Sequence, residues 1–389
     1  MTDKANILQG ARILLVDDQP ANLDVLCTLL EGEGCDVALA NSGERAFNIA
    51  QRMVPDLILL DVMMPPGMDG YQTCRQLKKT ESTQDVPVIF ITANDQAEDI
   101  VTGFQAGGVD YIPKPFQTEE ALVRVGNALY TRHLFNENQA YQQEMEEELR
   151  QAHQLQMGLM PRQAPELTGY RVAGRCRPAS QVGGDFFQYF ERPDHDLGLA
   201  LADVTGHAMA AAIPTILVMG MLQSRAEQSE SLQTLFAELN RSVHRMLDKR
   251  TLVCFAMAQL DAAQRRLHLA SAGCPYPLHF QAASGEVVEV PAGENYPLGV
   301  RPDTQYQTLE LELKPGDRVV FCSDGIAESQ NERDDLFGDD RLAELVQQAG
   351  LQGDSAQALL ERIFAAVDHF GGETPQADDR TVVVLEVEK

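Results

Sequence analysis

Short aliphatic runs alternate with helix-like segments in the first third of the chain. Three of these runs contain no polar residue: Ile13–Val16, Leu57–Leu60 and Val88–Ile91. Runs of this kind are typical of parallel strands that are buried on both faces of a sheet. A helix is predicted from Pro20 to about Gly32, and a second from the N-cap Ser42 to about Val54. The alternation predicts a doubly wound α/β domain, in which ligands bind at the carboxyl ends of the strands.

A long helical pattern without proline follows, from Thr118 to Met160. Apolar residues recur in it at heptad spacing, and two polar residues, Asn138 and Glu148, fall on the same seam. The apolar members of the seam are Leu134, Tyr141, Met145, Ala152, Leu155 and Leu159. The spacing fits a coiled coil, and therefore a homodimer, whereas the many Glu and Gln residues fit a solvated linker helix. Both interpretations stay open from the sequence alone.

Beyond Tyr170 the pattern changes to short strands of alternating polarity. The predicted strands are Leu197–Leu201, Leu252–Leu260, Arg266–Leu269, Leu309–Leu313, Arg318–Phe321 and Thr381–Val387. Two helical patterns follow His207, and two more cover Arg341–Gln348 and Ser355–Phe370. This mixture predicts an α+β domain built around a largely antiparallel sheet.

Composition narrows the functional classes. The 389 residues carry a formal net charge of −27, which argues against nucleic acid as the main partner because phosphate backbones attract clustered Lys and Arg. The seven cysteines form no C-x-x-C pair and are expected to be free thiols in a reducing compartment. Met1–Arg12 lacks a signal-peptide pattern, and the apolar run Ala208–Leu222 is shorter than a membrane span. We therefore expect a cytoplasmic protein without membrane contact, and we interpret that run as a buried helix.

Polar residues with complementary chemistry stand at the strand ends of the first domain. Asp17 and Asp18 follow the first strand, Asp61 ends the third, Thr92 ends the fourth and Lys114 follows the fifth. Three carboxylates at one sheet edge repel one another unless a hard cation such as Mg²⁺ neutralises them. A carboxylate can also act as a nucleophile and form an acyl phosphate, whose charge Lys114 would balance. A lone aspartate at a strand end is usually a turn former, but the five positions together predict a phosphoryl-accepting site.

These segments resemble the receiver domain of two-component response regulators over roughly Gly10–Asn127. The matching pieces are Ile13–Asp18, Asp56–Pro65, Ile91–Ala93 and Tyr111–Pro115. The resemblance implies five parallel strands in the order 2-1-3-4-5. The roles that it implies are Asp61 as the phosphoacceptor, Asp18, Asp61 and the Met63 carbonyl as Mg²⁺ contacts, Asp17 acting through water, Thr92 and Tyr111 as the switch pair, and Lys114 as the phosphate contact. The loop that contains Pro66 has one residue more than usual, which bears on the kinetics of phosphorylation.

A second acidic set occupies strand ends in the later domain. Its members are Asp185 after two glycines, Asp203 after Leu197–Ala202, Asp324 after Arg318–Cys322, and Asp378 before the last strand. Four carboxylates can hold two metals about 3.5–4 Å apart and activate a bridging water for in-line attack on phosphorus. Asp324-Gly325 taken alone would indicate a hairpin turn. The set of four instead predicts a binuclear hydrolytic site.

The later domain resembles the metal-dependent protein phosphatases of the bacterial branch typified by SpoIIE and RsbU, over about Leu155–Val387. The matching pieces are Gln156–Pro161, Pro178–Phe187, Ala202–Ala212, Ala272–Pro277, Ser323–Glu328 and Ala377–Thr381. The resemblance implies an α-β-β-α sandwich that holds two Mn²⁺ or Mg²⁺ ions. The implied contacts are Asp185, Asp203 and the Val204 carbonyl for the first ion, and Asp203, Asp324 and Asp378 for the second. Accessory positions would be Gly184, His207, Gly325 and Asp379. The family usually has Gly and His where this chain has Ala208 and Cys274.

These patterns predict a receiver domain at 1–127, a helical linker at 128–160 and a phosphatase domain at 161–389. The predicted protein is a response regulator, phosphorylated at Asp61 by a histidine kinase or phosphotransfer protein, whose output domain hydrolyses phosphoserine or phosphothreonine. The resemblance implies a phosphorylated anti-sigma-factor antagonist as the substrate. The alternative is a non-catalytic adaptor that binds a sigma factor or other regulator, similar to an enteric adaptor whose phosphatase fold has lost its metal ligands. The presence of all four acidic residues favours the enzyme.

Overall fold

The computed structural model consists of two compact units, Met1–Met145 and Glu146–Lys389. The residues that the structure describes are 7–93, 97–191, 197–206, 209–226, 231–248, 250–293 and 296–389. The boundary between the units falls within the long helix Thr118–Leu159. Each unit has buried hydrophobic clusters of its own, as expected for domains built around separate sheets.

The first unit is built on a five-stranded parallel sheet with the order β2-β1-β3-β4-β5. Its strands are β1 (Arg12–Val16), β2 (Asp36–Ala40), β3 (Leu57–Asp61), β4 (Val88–Thr92) and β5 (Asp110–Pro113). Its helices are α1 (Pro20–Gly32), α2 (Gly43–Met53), α3 (Gly70–Lys78), α4 (Ala97–Gln105) and the first part of α5 (Thr118–Leu159). Alternate side chains of β1, β3 and β4 enter two separate clusters, one on each face of the sheet. The predicted doubly wound fold and its strand order are confirmed.

Local signals set the helix starts in this unit. Pro20 occupies the first turn of α1, where its missing N–H removes no intrahelical bond. The Ser42 hydroxyl accepts a hydrogen bond from a first-turn backbone N–H and begins α2, as predicted. Asp69 and Gln72 form a capping box at the start of α3, which satisfies two backbone donors reciprocally. This cap fixes the far end of the loop that follows Asp61.

The second unit contains two five-stranded antiparallel sheets, with the orders β13-β10-β9-β8-β7 and β12-β11-β14-β15-β6. The strands are β6 (Tyr170–Arg177), β7 (Phe186–Glu191), β8 (Leu197–Val204), β9 (Val253–Asp261), β10 (Arg266–Ala272), β11 (Leu278–Gln281), β12 (Glu286–Glu289), β13 (Leu309–Glu312), β14 (Arg318–Cys322) and β15 (Arg380–Val387). The helices are α6 (Met209–Ala226), α7 (Leu232–Met246), α8 (Asp324–Ala327), α9 (Asp339–Gln352) and α10 (Ala356–Gly371).

Helices cover the outer faces of both sheets. α6 and α7 pack on the first sheet, and α9 and α10 pack on the second. Side chains from both sheets, among them Phe186, Phe255 and Leu385, share one buried cluster. The layers form the predicted α-β-β-α sandwich.

The second unit also departs from the sequence-based expectation. β6, β7, β11 and β12 were not among the predicted strands. In β6 the alternation is obscured because the guanidinium groups of Arg175 and Arg177 lie over the ring of Phe364 in α10, so charged residues line a covered face. β8 extends to Val204, which places Asp203 inside the strand rather than after it. The hairpin interpretation of Asp324-Gly325 is wrong, because these residues begin α8.

The apolar run that was predicted as a buried helix forms α6, but only one of its faces is buried. Val218 and Leu222 are fully buried, whereas Ile213 is 63% exposed and Ile216 is also exposed. Ala208, the first residue of the predicted run, lies outside the described residues. By length and composition α6 is the one helix in the described part of the chain that could cross a membrane, a test that core helices also pass.

Candidate functional site

The three aspartates at the carboxyl edge of the parallel sheet converge as the sequence predicted. One carboxylate oxygen from each of Asp17, Asp18 and Asp61 lies within 4.8 Å of the others. The neighbouring parallel strands β1 and β3 deliver them to the same edge. Asp17 and Asp61 are buried, and Asp18 is half-buried. An acidic cluster of this kind has too much negative charge to be stable without a cationic partner.

Lys114 supplies part of the compensating charge. Its Nζ lies 2.8 Å from Asp17 Oδ2 and 3.0 Å from Asp61 Oδ2. Burial lowers the pKa of Lys114, but hydrogen bonds to the two carboxylates outweigh it and raise that pKa above its usual value. Burial raises the pKa of Asp61, and the hydrogen bond from Lys114 opposes the rise without cancelling it. The Gln19 backbone N–H and the Asn22 side chain donate to Asp17, so the fold holds this carboxylate firmly.

This set of donors fits a hard divalent cation. Asp18 Oδ1 is buried and has no hydrogen-bond partner among the described residues. A buried carboxylate oxygen without a partner is costly, and carboxylate oxygens are ligands that suit Mg²⁺. The Met63 backbone, two residues beyond Asp61, stays a predicted contact. Its side chain is 70% exposed.

The predicted switch pair lies on the two strands beyond β3. Thr92 is buried at the end of β4, and Tyr111 is half-buried on β5, which pairs with β4 in parallel. The Arg124 guanidinium lies 5.2 Å from the centre of the Tyr111 ring. Thr92 thus lies on the strand next to the one that carries Asp61, and Tyr111 lies one strand further on. Their role as a switch pair stays a prediction.

The longer loop after Asp61 is hydrogen-bonded to α2. Glu44 Oε1 accepts a hydrogen bond from the Met68 backbone N–H at 3.1 Å. Gly67 has φ of +126°, a conformation that side-chain-bearing residues rarely adopt. A Cβ at that position would lie 2.9 Å from the Glu44 carboxylate. The additional residue is thus accommodated in the loop, while Asp61 keeps its place at the end of β3.

Close packing at two glycines brings the second acidic set together. A Cβ on Gly184 would lie 2.2 Å from the Val204 carbonyl oxygen, and a Cβ on Gly325 would lie 2.0 Å from the Asp379 carbonyl oxygen. Only glycine allows such approaches. They join the loop before β7 to the end of β8, and α8 to the start of β15. The carboxylates that these segments carry are Asp185, Asp203, Asp324 and Asp378.

Asp379 anchors the loop that carries Asp185. Its Oδ1 accepts from the Ala179 N–H at 2.7 Å, and its Oδ2 accepts from the Gly184 N–H at 2.6 Å and the Asp185 N–H at 3.1 Å. The residue is buried. Removing this carboxylate would leave three backbone N–H groups without their acceptor. Asp379, which the sequence suggested as an accessory residue, thus orients a neighbouring carboxylate.

Burial and mutual repulsion raise the pKa of three carboxylates in this set. Burial, followed by the nearby Asp324 and Asp378, raises the pKa of Asp203 to about 7. Burial and the charge of Asp203 raise the pKa of Asp185 well above its usual value. Burial, with Asp378 and Glu328, also raises the pKa of Asp324. These carboxylates resist joint ionisation unless positive charge is brought to them.

The second set also fits divalent cations, in a wider arrangement than the first. Asp185 Oδ2 is buried and lacks a hydrogen-bond partner in the described part of the chain. Among the described residues, no three carboxylates of this set lie as close to one another as those of Asp17, Asp18 and Asp61 do. Because each ion contacts its ligands at about 2 Å, ligands spread over a larger area suit two ions that share a carboxylate. The individual contacts of Asp185, Asp203, the Val204 carbonyl, Asp324 and Asp378 stay predictions.

Of the two positions that depart from the family pattern, Ala208 and Cys274, the structure describes only Cys274. His207 and Ala208 lie outside the described residues. Cys274 is buried just after β10, and burial, with the nearby Cys254 and Asp203, raises the pKa of its thiol well above the usual value. The position at which the family has histidine therefore holds a neutral thiol close to the acidic site. All seven cysteines are free, as predicted.

Two residues of this site were missed from the sequence. Glu328 lies close enough to Asp203 and Asp324 to raise the pKa of both carboxylates. The Thr215 hydroxyl, on α6, donates to the Gly184 carbonyl at 2.9 Å. Glu328 belongs to the matched segment that begins at Ser323, so its spacing from Asp324 was an available signal. Thr215 offered no such signal, because its role depends on where α6 packs.

Replacing Asp379 with alanine is expected to lower the free energy of unfolding by about 3 kcal/mol, because several buried backbone N–H groups lose their acceptor. Urea unfolding of the full chain, followed by circular dichroism in the presence of a chelator, would measure this. Asp303→Ala, at an exposed aspartate of the same unit, is the control and should change stability little. Equal stability of the two variants would contradict the anchoring role.

Comparison with known proteins assigns both units. The family model of the response regulator receiver domain matches residues 13–126, and that of stage II sporulation protein E (SpoIIE) matches residues 193–388. The chain is 44% identical over 114 residues to RpaA from Synechocystis sp., a DNA-binding dual master transcriptional regulator. The aligned residues make up 29% of this chain and 47% of RpaA. The chain thus spans about half the length of this curated relative.

Solved structures share the sandwich fold. The SiaA-PP2C domain of Pseudomonas aeruginosa superposes with a TM-score of 0.55 at 24% identity, covering 64% of this chain and 98% of that domain. The RsbU and RsbW domains of Rv1364c from Mycobacterium tuberculosis give a TM-score of 0.50 at 21% identity, covering 58% of this chain and 61% of that one. Fold and sequence together define a response-regulator receiver domain joined to a SpoIIE-family domain that has the fold of the SiaA-PP2C domain. The chain belongs to the SpoIIE family.

Proposed function

We propose that this chain is a response regulator in which phosphorylation of Asp61 controls a metal-dependent phosphoserine and phosphothreonine protein phosphatase. The observation that carries the proposal is the convergence of the second acidic set around glycine contacts that admit no other residue. A domain that had lost its catalytic role would have no need to keep four mutually repelling carboxylates close together. The boundaries that we propose are 1–127 for the receiver domain, 128–160 for the linker and 161–389 for the phosphatase domain.

In the receiver domain the chain's own groups prepare Asp61 to accept a phosphoryl group. An Asp61 carboxylate oxygen attacks the phosphorus of a phosphorylated histidine kinase or phosphotransfer protein, and the bond from phosphorus to the donor breaks. Lys114, already 3.0 Å from Asp61 Oδ2, contacts the transferred group and balances its charge. A Mg²⁺ ion held by Asp17, Asp18, Asp61 and the Met63 carbonyl would neutralise the developing charge. Thr92 and Tyr111 then adjust to the new group, which is the proposed start of the signal.

In the phosphatase domain the chain's own residues orient the carboxylates. Asp379 and the glycine contacts orient Asp185, while β8 and α8 present Asp203 and Asp324. When two Mn²⁺ or Mg²⁺ ions are bound, they supply an activated water and charge stabilisation for in-line hydrolysis of a phosphate ester. This chemistry needs no nucleophile from the protein, which agrees with the neutral state of the buried Cys274 thiol.

The substrate that we propose is a phosphorylated anti-sigma-factor antagonist in a partner-switching pathway in the cytoplasm. The proposal is supported by the family membership and by the fold shared with the RsbU domain of Rv1364c. The chain's net charge of −27 makes nucleic acid an unfavourable partner. A receiver domain at residues 13–126 implies that the signal comes from a histidine kinase or phosphotransfer protein.

Hydrolysis of an aryl phosphate with Mn²⁺, in the presence and absence of beryllofluoride, tests the proposed function. Beryllofluoride mimics the acyl phosphate at Asp61. Metal-dependent turnover that changes with the mimic would support a phosphatase controlled by its receiver domain. If a phosphorylated antagonist protein and the aryl phosphate both remain intact with either metal, the enzymatic function is wrong.

The proposed homodimer gives a further prediction, because the heptad seam of α5 is exposed within a single chain. Tyr141 is 65% exposed and Met145 is 57% exposed. Leaving these apolar side chains in water is unfavourable, and pairing with a second copy of the helix would bury them. Met145→Glu is expected to shift the full chain from dimer to monomer, measured by light scattering with the beryllofluoride mimic present. Gln142→Glu, exposed and off the seam, is the matched control. A monomeric wild-type chain, or a dimer that survives Met145→Glu, would contradict a dimer through this seam.

A further inference from the structure

The last turns of α5 contain one polar side chain that is completely buried. Gln156 has no exposed surface, although the helix around it is largely solvent-accessible. Its Nε2 donates to the Gly183 carbonyl at 2.6 Å, and its Oε1 accepts from the Gly183 N–H at 3.1 Å. Both halves of the amide therefore contact the same glycine, in the way that a neighbouring strand would contact it.

Gly183 is two residues before Asp185, and the residue between them is fixed by other elements. The Gly184 carbonyl accepts from the Thr215 hydroxyl on α6, and the Gly184 N–H donates to Asp379. A Cβ on Gly183 would lie 2.2 Å from Asp379 Oδ2. The segment thus has successive backbone contacts with α5, α6 and the start of β15, which leaves Asp185 little freedom of its own.

Of the elements that hold this segment, α5 is the linker helix, and it makes its contact with Gly183 through Gln156. One turn earlier, His153 Nδ1 lies within hydrogen-bond range of the Gln181 carbonyl. A buried amide cannot exchange its partners for water, so a shift of the helix end must either move Gly183 or break two hydrogen bonds. Because metal ligands need positions correct to about 0.5 Å, a small shift is enough to alter the site.

We propose that Gln156 is a positioning residue that couples the end of the linker helix to the metal-binding geometry of Asp185. The inference rests on the proposed function, which it extends by naming where the linker acts on the phosphatase centre. The amide of Gln156 sets the register between α5 and the Gly183–Asp185 segment. A rotation or translation of α5 that breaks the two hydrogen bonds between Gln156 and Gly183 frees that segment and weakens cation binding.

The test measures binding of Mn²⁺ by calorimetry to the full-length chain, with Asp18→Asn present in every protein to remove the receiver cation site. Gln156→Met keeps the side-chain length and removes both hydrogen bonds. It is expected to weaken Mn²⁺ binding about tenfold or more, the usual effect of removing a group that orients a metal ligand. Gln154→Met, at an exposed position on the same turn, is the matched control and should leave binding unchanged.

A second variant and a stability measurement separate positioning from general structure. Gln156→Glu keeps the acceptor for the Gly183 N–H but faces the Gly183 carbonyl with an oxygen, so it should weaken Mn²⁺ binding as well. Melting of each variant in a chelator shows whether the fold is intact before binding is measured. Weakened Mn²⁺ binding by both Gln156 variants at unchanged melting temperature supports the inference. Binding within twofold of the parent in a folded Gln156 variant overturns it.

The failure of this inference can be told apart from failure of the proposed function. If the parent chain with Asp18→Asn binds no Mn²⁺ and releases no phosphate, the metal-dependent phosphatase itself is wrong. If the parent binds Mn²⁺ and Gln156→Met binds it equally well, only the coupling through Gln156 is wrong. As a second readout, in proteins that keep Asp18 and therefore the receiver cation site, the change in rate caused by beryllofluoride should shrink in Gln156→Met and persist in Gln154→Met.

Discussion

Replacing Asp203 with alanine is expected to lower metal-dependent phosphate release by about three orders of magnitude, equivalent to ~4 kcal/mol of transition-state stabilisation. Asp203 is the carboxylate on which the others converge. Its ionisation responds to Asp324 and Asp378, and its charge in turn raises the pKa of Asp185. A residue in this position is the one that two cations would share. Its loss therefore removes a ligand from both proposed ions at once.

The measurement is the initial rate of aryl phosphate hydrolysis at saturating Mn²⁺, for Asp203→Ala and for the control Asp303→Ala. Asp303 is exposed in the same unit, so the control repeats the charge change without touching the acidic set. Because Asp203 repels its neighbours, Asp203→Ala should also leave the metal-free fold as stable as before or more stable. A loss of activity together with a retained fold would separate a catalytic effect from unfolding.

The same variant distinguishes the enzyme from the adaptor interpretation. A non-catalytic adaptor that binds a sigma factor or other regulator would keep its function in Asp203→Ala, since its binding surface does not depend on a metal centre. The enzyme would lose its function. Retained turnover in Asp203→Ala would contradict the binuclear site, whatever the binding properties of the chain.

The parallel sheet could be predicted from the sequence because both of its faces are buried. Continuous aliphatic runs such as Ile13–Val16 have few other stable placements, and the aspartates that follow them must then meet at one edge. The five receiver positions were predicted on this basis, and the structure brings Asp17, Asp18 and Asp61 together. For the second set, the four acidic strand ends predicted the site and the resemblance implied the sandwich. The strand order β12-β11-β14-β15-β6, which joins segments far apart in the chain, was not predicted.

The features of the fold and of the second site that were not predicted depend on tertiary contacts, which no local sequence pattern contains. Asp379 and Asp378 are neighbours in sequence, yet the buried Asp379 accepts from backbone N–H groups of the loop that carries Asp185, whereas the exposed Asp378 accepts from the adjacent Asp379 N–H. Gln156 begins the matched segment Gln156–Pro161, but only the structure shows that its amide contacts Gly183. α6 was predicted as a buried helix, and its exposed Ile213 shows that apolar composition does not determine how many faces of a helix are covered.

Replacing Asp61 with asparagine is expected to abolish incorporation of a phosphoryl group and to remove the effect of beryllofluoride on phosphatase activity. Asparagine keeps the shape of the side chain and can still accept a hydrogen bond from Lys114, but its amide is no nucleophile for phosphorus. Phosphorylation would be followed by mass spectrometry after incubation with a small-molecule phosphoryl donor. The ratio of hydrolysis rates with and without beryllofluoride should become unity, whether it is above or below unity in the wild type.

Asp24→Asn, an exposed aspartate on α1, is the matched control and should behave as the wild type in both assays. The comparison also resolves an ambiguity of the mimic, because beryllofluoride resembles phosphate and could bind at the phosphatase centre. An effect on rate that persists in Asp61→Asn would place the mimic at that centre and contradict control through the receiver domain. An effect lost in Asp61→Asn but kept in Asp24→Asn can arise only from the receiver site. The basal rate of Asp61→Asn then reports the activity of the unphosphorylated state, and with it the sign of the regulation.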